Sequence, residues 1–217
     1  MLVGHFSAGL VAKRIEPRVS LGTTVLAAMF SDVLWAVFLA AGIEHVAVAP
    51  GVGKNRMIGL DIVYSHGLLP DILWAGLFAA IYFAIRKNAR GAWVLFAAVL
   101  SHWVLDVISH RPDMPLAPGV HPVLGFGLWN SRPATLLVEG GFWLLAIALY
   151  VHATKATGRA GIYGFWIVIA LLTWIWFTNI TTPPPPSGVG SLVFFTLVIV
   201  WAYWMNRCRA SPDAGAA

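Results

Sequence analysis

An all-α bundle of about six membrane spans, preceded by a short membrane-embedded helix, is the architecture this sequence predicts, as one integral membrane domain over residues 1–217. Three observations carry that prediction. The chain is 59% hydrophobic and only 11% charged, too little polar surface for a soluble domain of 217 residues. Apolar runs long enough to cross a bilayer recur at 20–41, 67–85, 92–109, 134–154, 162–180 and 189–206. The basic residues punctuate these runs on one consistent side.

Residues 2–12 are apolar, but at about 1.5 Å of rise per residue they reach roughly half-way across the membrane. Residues 1–18 therefore read as an embedded half-helix with a basic flank, Lys13, Arg14 and Arg18. The apolar stretch precedes its basic residues, the reverse of a secretory signal. Residues 19–154 hold four spans that bear polar groups. Residues 155–206 hold two spans without any Asp, Glu, Lys, Arg or His inside their apolar runs, and read as scaffold. Residues 207–217 form a tail. Of the 14 Lys and Arg, ten fall on one side of such a bundle: Lys13, Arg14, Arg18, Arg86, Lys87, Arg90, Lys155, Arg159, Arg207 and Arg209. The positive-inside rule then makes both termini cytoplasmic, in a bacterial inner membrane. Lys54, Arg56, Arg111 and Arg132 stay outside. Basic residues arranged in this way signal topology and offer no face for nucleic acid. Cys208 stands alone, so neither a disulfide nor a thiolate metal site is available.

The outer connections 42–65 and 110–133 are rich in Gly and Pro and are expected to be compact, irregular caps. A third connection carries Pro183 to Pro186 as a stiff spacer.

Chemistry concentrates in Ser101-His102-Trp103-Val104-Leu105-Asp106-Val107-Ile108-Ser109-His110. His102, Asp106 and His110 are spaced four apart and share one helix face. An ionisable group at bilayer depth costs roughly 2.5–3.5 kcal/mol on insertion scales, so a function must offset it. Depth counted from the basic flanks brings Asp32, His102, Asp106 and Glu139 to the outer half of the membrane, with His66 and His110 at outer helix ends. Imidazole and carboxylate without thiolate suit a divalent ion, zinc first, with manganese or iron as alternatives. Glu139, followed by Gly140-Gly141, is a candidate general base, and Arg111 or Arg132 a candidate partner for a phosphate. Asp71, in the first turn after Pro70, reads as a helix cap. His45, His121 and His152 read as solvated.

Gly4-His5, Ser31-Asp32, Ser65-His66, and Ser101-His102 with Asp106 together resemble a family of bacterial inner-membrane proteins described as membrane-bound metal-dependent hydrolases. The resemblance covers about residues 4–113, and the serine-histidine-x3-aspartate piece is its most specific part. It implies that His5 joins the metal ligands. The chain departs from the family in that Asp32 stands alone where two acids often occur, and Gly67 replaces a typical serine. These departures favour one metal over two. The helical His/Asp pattern also looks distantly like the zinc-dependent phospholipase C fold, which points to phosphoesters.

The expectation is thus a metal-dependent membrane hydrolase acting on a lipid or lipid-linked substrate in the outer half of the membrane. Its ligands would be His66, His102, Asp32 and Asp106, with His5 or His110 completing the set, and Asp32 doubling as a catalytic group. The alternative is a transporter that couples these groups to protons or a cation.

Overall fold

A computed structural model describes residues 1–48, 57–120, 123–181 and 187–212. The prolines at 183–186, His121, Lys54 and Arg56 lie outside the described residues.

The chain is an all-α bundle. Helix α1 (Leu2–Ile15) is the short embedded helix. Five helices are long and apolar enough to cross a membrane: α5 (Leu68–Arg86), α6 (Ala89–Ser109), α7 (Arg132–Ala153), α8 (Arg159–Thr181) and α9 (Gly188–Cys208). The first expected span is not one continuous helix. It is split into α2 (Leu21–Ala28) and α3 (Phe30–Ala40), which are bent by 60° at Met29. Neither Pro nor Gly occupies the bend. The cause is a side chain in the helix ladder: His102 Nδ1 donates to the Ala28 carbonyl at 2.9 Å.

Side-chain caps define several helix starts. Ser20, Asn88, Ser131 and Ser187 accept from the backbone N–H groups of Thr23, Gly91, Ala134 and Gly190, which would otherwise lack partners. Helix α1 lies deep in the bundle, against α2, α6 and α7. A methyl group at Gly9 would come within 2.9 Å of Val25 Cα, so glycine is what lets α1 and α2 approach this closely.

Connection 42–65 differs from the irregular segment expected. It contains an antiparallel pair, β1 (His45–Val48) and β2 (Met57–Asp61), then a single helical turn, α4 (Val63–His66). Short apolar stretches with backbone groups to satisfy at a membrane edge pair with each other. Residues 110–120 and 123–131 do form a cap. Leu68 and Leu69 donate their backbone N–H groups to the carbonyls of Pro115 and Leu116, Trp103 Nε1 donates to Pro115 O, and Met114 is fully buried beneath.

The outward faces of α5, α7, α8 and α9 are apolar, with Leu73, Leu137, Leu144, Ile167, Trp174 and Leu197 exposed. This is the surface a lipid environment requires of a bundle. At the end opposite the cap, Glu16 receives Arg18 Nε at 2.6 Å and Arg90 Nε at 3.2 Å. Arg209 is buried against Thr154 and Gly161 at that same end, beside the short pair β3 (Lys155–Ala156) and β4 (Arg209–Ala210).

Candidate metal centre

Four helices contribute to one buried polar cluster, and three of them do so at or near an end or a break. Asp32 is in the first turn of α3, directly after the bend. His66 ends α4, where the chain turns sharply into α5 through Gly67. A Cβ at Gly67 would meet the Val63 carbonyl at 2.4 Å, so the glycine at this position is what the turn demands. His102 and Asp106 lie one turn apart on the unbroken α6. His5 reaches in from α1.

The separations are short and regular. His66 Nε2 lies 3.6 Å from Asp32 Oδ1 and 3.7 Å from Asp106 Oδ2. His102 Nε2 lies 3.7 Å from Asp32 Oδ1 and 3.4 Å from Asp106 Oδ2. Donors around a tetrahedral ion with bonds of roughly 2.0–2.2 Å stand about 3.4 Å apart, so each nitrogen–oxygen separation in this quartet is close to that of two atoms sharing an ion.

Proton placement points the same way. Ser65 has one hydroxyl proton and gives it to Glu44 Oε2 at 2.6 Å, so its oxygen accepts from His66 Nδ1 at 2.8 Å. The Ala28 carbonyl can only accept, so His102 Nδ1 carries a proton as well. Both rings therefore turn their Nε2 atoms toward carboxylate oxygens. A shared proton or a metal cation among these buried atoms would satisfy them, and His102 Nε2 has no hydrogen-bond partner.

The other oxygen of Asp106 is occupied separately. Oδ1 lies 3.1 Å from His5 Nε2 and 2.5 Å from the Met1 amine nitrogen, which leaves Oδ2 toward the quartet. The His5 ring stacks on His102 with centroids 3.5 Å apart. His5, Asp32 and His102 form one possible ligand group, and His66, His102 and Asp106 another. Both groups need His102, whose second nitrogen is committed to Ala28. They therefore describe alternatives for one ion rather than two separate ions. Buried His and Asp groups here could hold a metal ion.

Asp32 is the cluster's open edge, with its side chain 20% exposed while those of His66, His102 and Asp106 are at most 6% exposed.

The remaining sequence candidates are placed differently. His110 does not join the quartet. It is the residue after the last turn of α6, its backbone is extended, and helical spacing no longer applies there. Its Nδ1 is 3.0 Å from Asp113 Oδ1, and the same carboxylate accepts from Arg111 Nε at 3.0 Å. Arg132 is exposed at the start of α7. Glu139 is fully buried on α7 but belongs to neither ligand group. Asp71, expected as a cap, makes no capping bond to its own helix start. Its Oδ1 accepts from Ser31 Oγ at 2.6 Å, beside Asp32, and its Oδ2 is buried without a hydrogen-bond partner.

Two contributors escaped the sequence reading altogether. Glu44 is fully buried and accepts from the Tyr64 and Ser65 backbone N–H groups as well as from the Ser65 hydroxyl. The Ala28 carbonyl becomes available only because the helix breaks. Glu44 follows Ile43 in the connection after α3, and nothing in its sequence neighbours marks it as buried.

No protein-family model matches this sequence, and neither a curated protein nor a solved structure does.

Proposed function

We propose that the protein is a membrane-embedded hydrolase that holds one divalent ion, with zinc preferred, and acts on a lipid or lipid-linked phosphoester. The observation that carries the reading is the quartet of His66, His102, Asp32 and Asp106, in which each imidazole Nε2 lies 3.4–3.7 Å from an oxygen of both carboxylates. Its composition, nitrogen and oxygen without sulfur, fits zinc.

Such an ion supplies Lewis acidity and makes water a stronger acid. The chain supplies the rest. Glu44 through Ser65, and the Ala28 carbonyl, fix the ring orientation and protonation of His66 and His102. Contacts of this kind usually change metal affinity by about 10–100-fold. Asp106 is held from behind by His5. Asp32, at the exposed edge, is the carboxylate that can release a position to substrate and take a proton from water. Exposed apolar helix faces surround the bundle and suit a substrate that arrives through lipid. The basic end marks the cytoplasmic side of a bacterial inner membrane, which puts the cluster in the outer half.

Transport of a cation is the competing reading, since a four-donor set is nearly closed. Packing disfavours it: Ala27, Ala75, Leu95, Ala98 and Val99 fill the space on the basic side of His102 with apolar side chains.

The test is hydrolysis of a fluorogenic phospholipid analogue by the protein in neutral detergent. Activity that is lost on chelation, restored by zinc and absent in Asp32→Asn supports the hydrolase. Zinc flux across reconstituted vesicles without hydrolysis replaces it with the transporter.

A further inference from the structure

A second site lies at the other end of the bundle. A cavity of about 770 Å³ opens where α1, α2, α5 and α9 end or begin, lined by Lys13, Arg18, Arg86 and Arg209 with Tyr203 and Asn206. No acidic side chain is among its described lining residues. The nearby Glu16 is already shared by Arg18 and Arg90. Among the described residues, Lys13, Arg86 and Arg209 form no ion pair with a carboxylate. Arg209 gives Nε, Nη1 and Nη2 to Thr154 Oγ1, Gly161 O and Thr154 O, which fix its position without cancelling its charge. Lys13 Nζ donates to the carbonyls of Pro17 and Val19, leaving one of its three N–H groups for another acceptor. Arg86 is exposed. A concave site with several fixed positive charges and only neutral acceptors attracts an anion.

The wall identifies its kind. Ile85, 73% exposed, lines the same cavity at the end of α5, whose outer face is apolar. A ligand here would bring a phosphate to the cations and acyl chains to the helix face.

We propose that this cavity binds the phosphate of an anionic phospholipid headgroup. Basic pockets between membrane helices suit such headgroups, and each Lys or Arg near the surface contributes about 1 kcal/mol. The site is independent of the metal cluster, and neither stands or falls with the other.

Native mass spectrometry of the full chain in neutral detergent, titrated with phosphatidylglycerol or phosphatidylcholine, reads the occupancy directly. The expected result is preferential binding of phosphatidylglycerol, reduced about fivefold in Arg86→Gln and unchanged in Arg132→Gln at the opposite end. Inorganic phosphate is added as a competitor. Displacement at millimolar concentration keeps the phosphate chemistry but assigns the site to the soluble anion. Because Arg86 is exposed, the variant should melt with the wild type, and a matching melt is part of the test. Equal binding of the two lipids, or an unchanged preference in Arg86→Gln, overturns the proposal.

Discussion

The broken pair α2–α3 and the straight helix α8 are both apolar segments of crossing length, yet they do opposite things with their backbones. Helix α8 runs for 23 residues without interruption, buries Phe165, Ile169, Leu172 and Trp176, and places no side chain in either ligand group. The pair α2–α3 bends by 60° at Met29. That bend frees the Ala28 carbonyl and swings Asp32 toward two histidines. A helix inside a membrane satisfies its own backbone, and irregularity is tolerated only where something else satisfies it. Here the satisfying group is His102, which is also the centre of the cluster. The break and the site thus stabilise each other: the bend supplies an acceptor that fixes the His102 ring, and the ring offsets the bend's lost hydrogen bond.

Four substitutions probe this contrast, from the largest expected effect down. His102→Ala removes the one donor common to both ligand groups and the side chain that bonds the Ala28 carbonyl. Bound metal should disappear while the protein still inserts, and circular dichroism should report an undiminished helix content. On the scaffold side, Leu172→Ala in α8 should cost about 2–4 kcal/mol of stability through a cavity, read by thermal melting, with metal content unchanged. A loss of metal there would erase the division between site and scaffold.

Glu44→Gln tests action at one remove. Glu44 touches no ligand atom, but it sets the Ser65 hydroxyl that receives the His66 Nδ1 proton. Metal affinity, measured by chelator competition, should fall about 10–100-fold while the melting temperature moves little. Unchanged affinity would make the Glu44–Ser65–His66 chain a structural bracket only.

The smallest effect belongs to Glu16, outside the spans. Its hydrogen bond from Arg18, aided by the charge of that residue, holds its carboxyl below the usual carboxylate range. A depressed folded-state pKa contributes stability that is present above the ordinary carboxylate value and lost as pH falls through the lowered one. Glu16→Gln should therefore remove a small stabilisation at neutral pH and flatten the acid side of the stability profile. An identical acid limb in wild type and variant would count against the pairing.

Much of this was legible from the residues. Apolar runs located the helices because lipid exposure leaves little alternative, and the bounds of α5 to α9 follow the expected spans closely. His102 and Asp106 were legible because helical spacing holds between them. The same spacing misled at His110, where α6 has ended and the chain turns into the cap. The bend was not legible: it lacks Pro and Gly, and its cause is a histidine 74 positions away in sequence. Glu44 and Asp71 were missed or misread for a related reason. Their roles are fixed by a neighbour from another element, a serine in each case, and local pattern carries no record of it. His5 illustrates the limit of resemblance, which flagged the residue without saying that it would touch the outer oxygen of Asp106 and stack on His102.

The most direct measurement is X-ray absorption at the zinc edge, with elemental analysis, on the protein purified in neutral detergent with zinc supplied. About one zinc per chain, surrounded by nitrogen and oxygen at roughly 2.0–2.2 Å and no sulfur, is the predicted result. Zinc below stoichiometry, or a spectrum unchanged when both His66 and His102 are replaced by alanine, would contradict it.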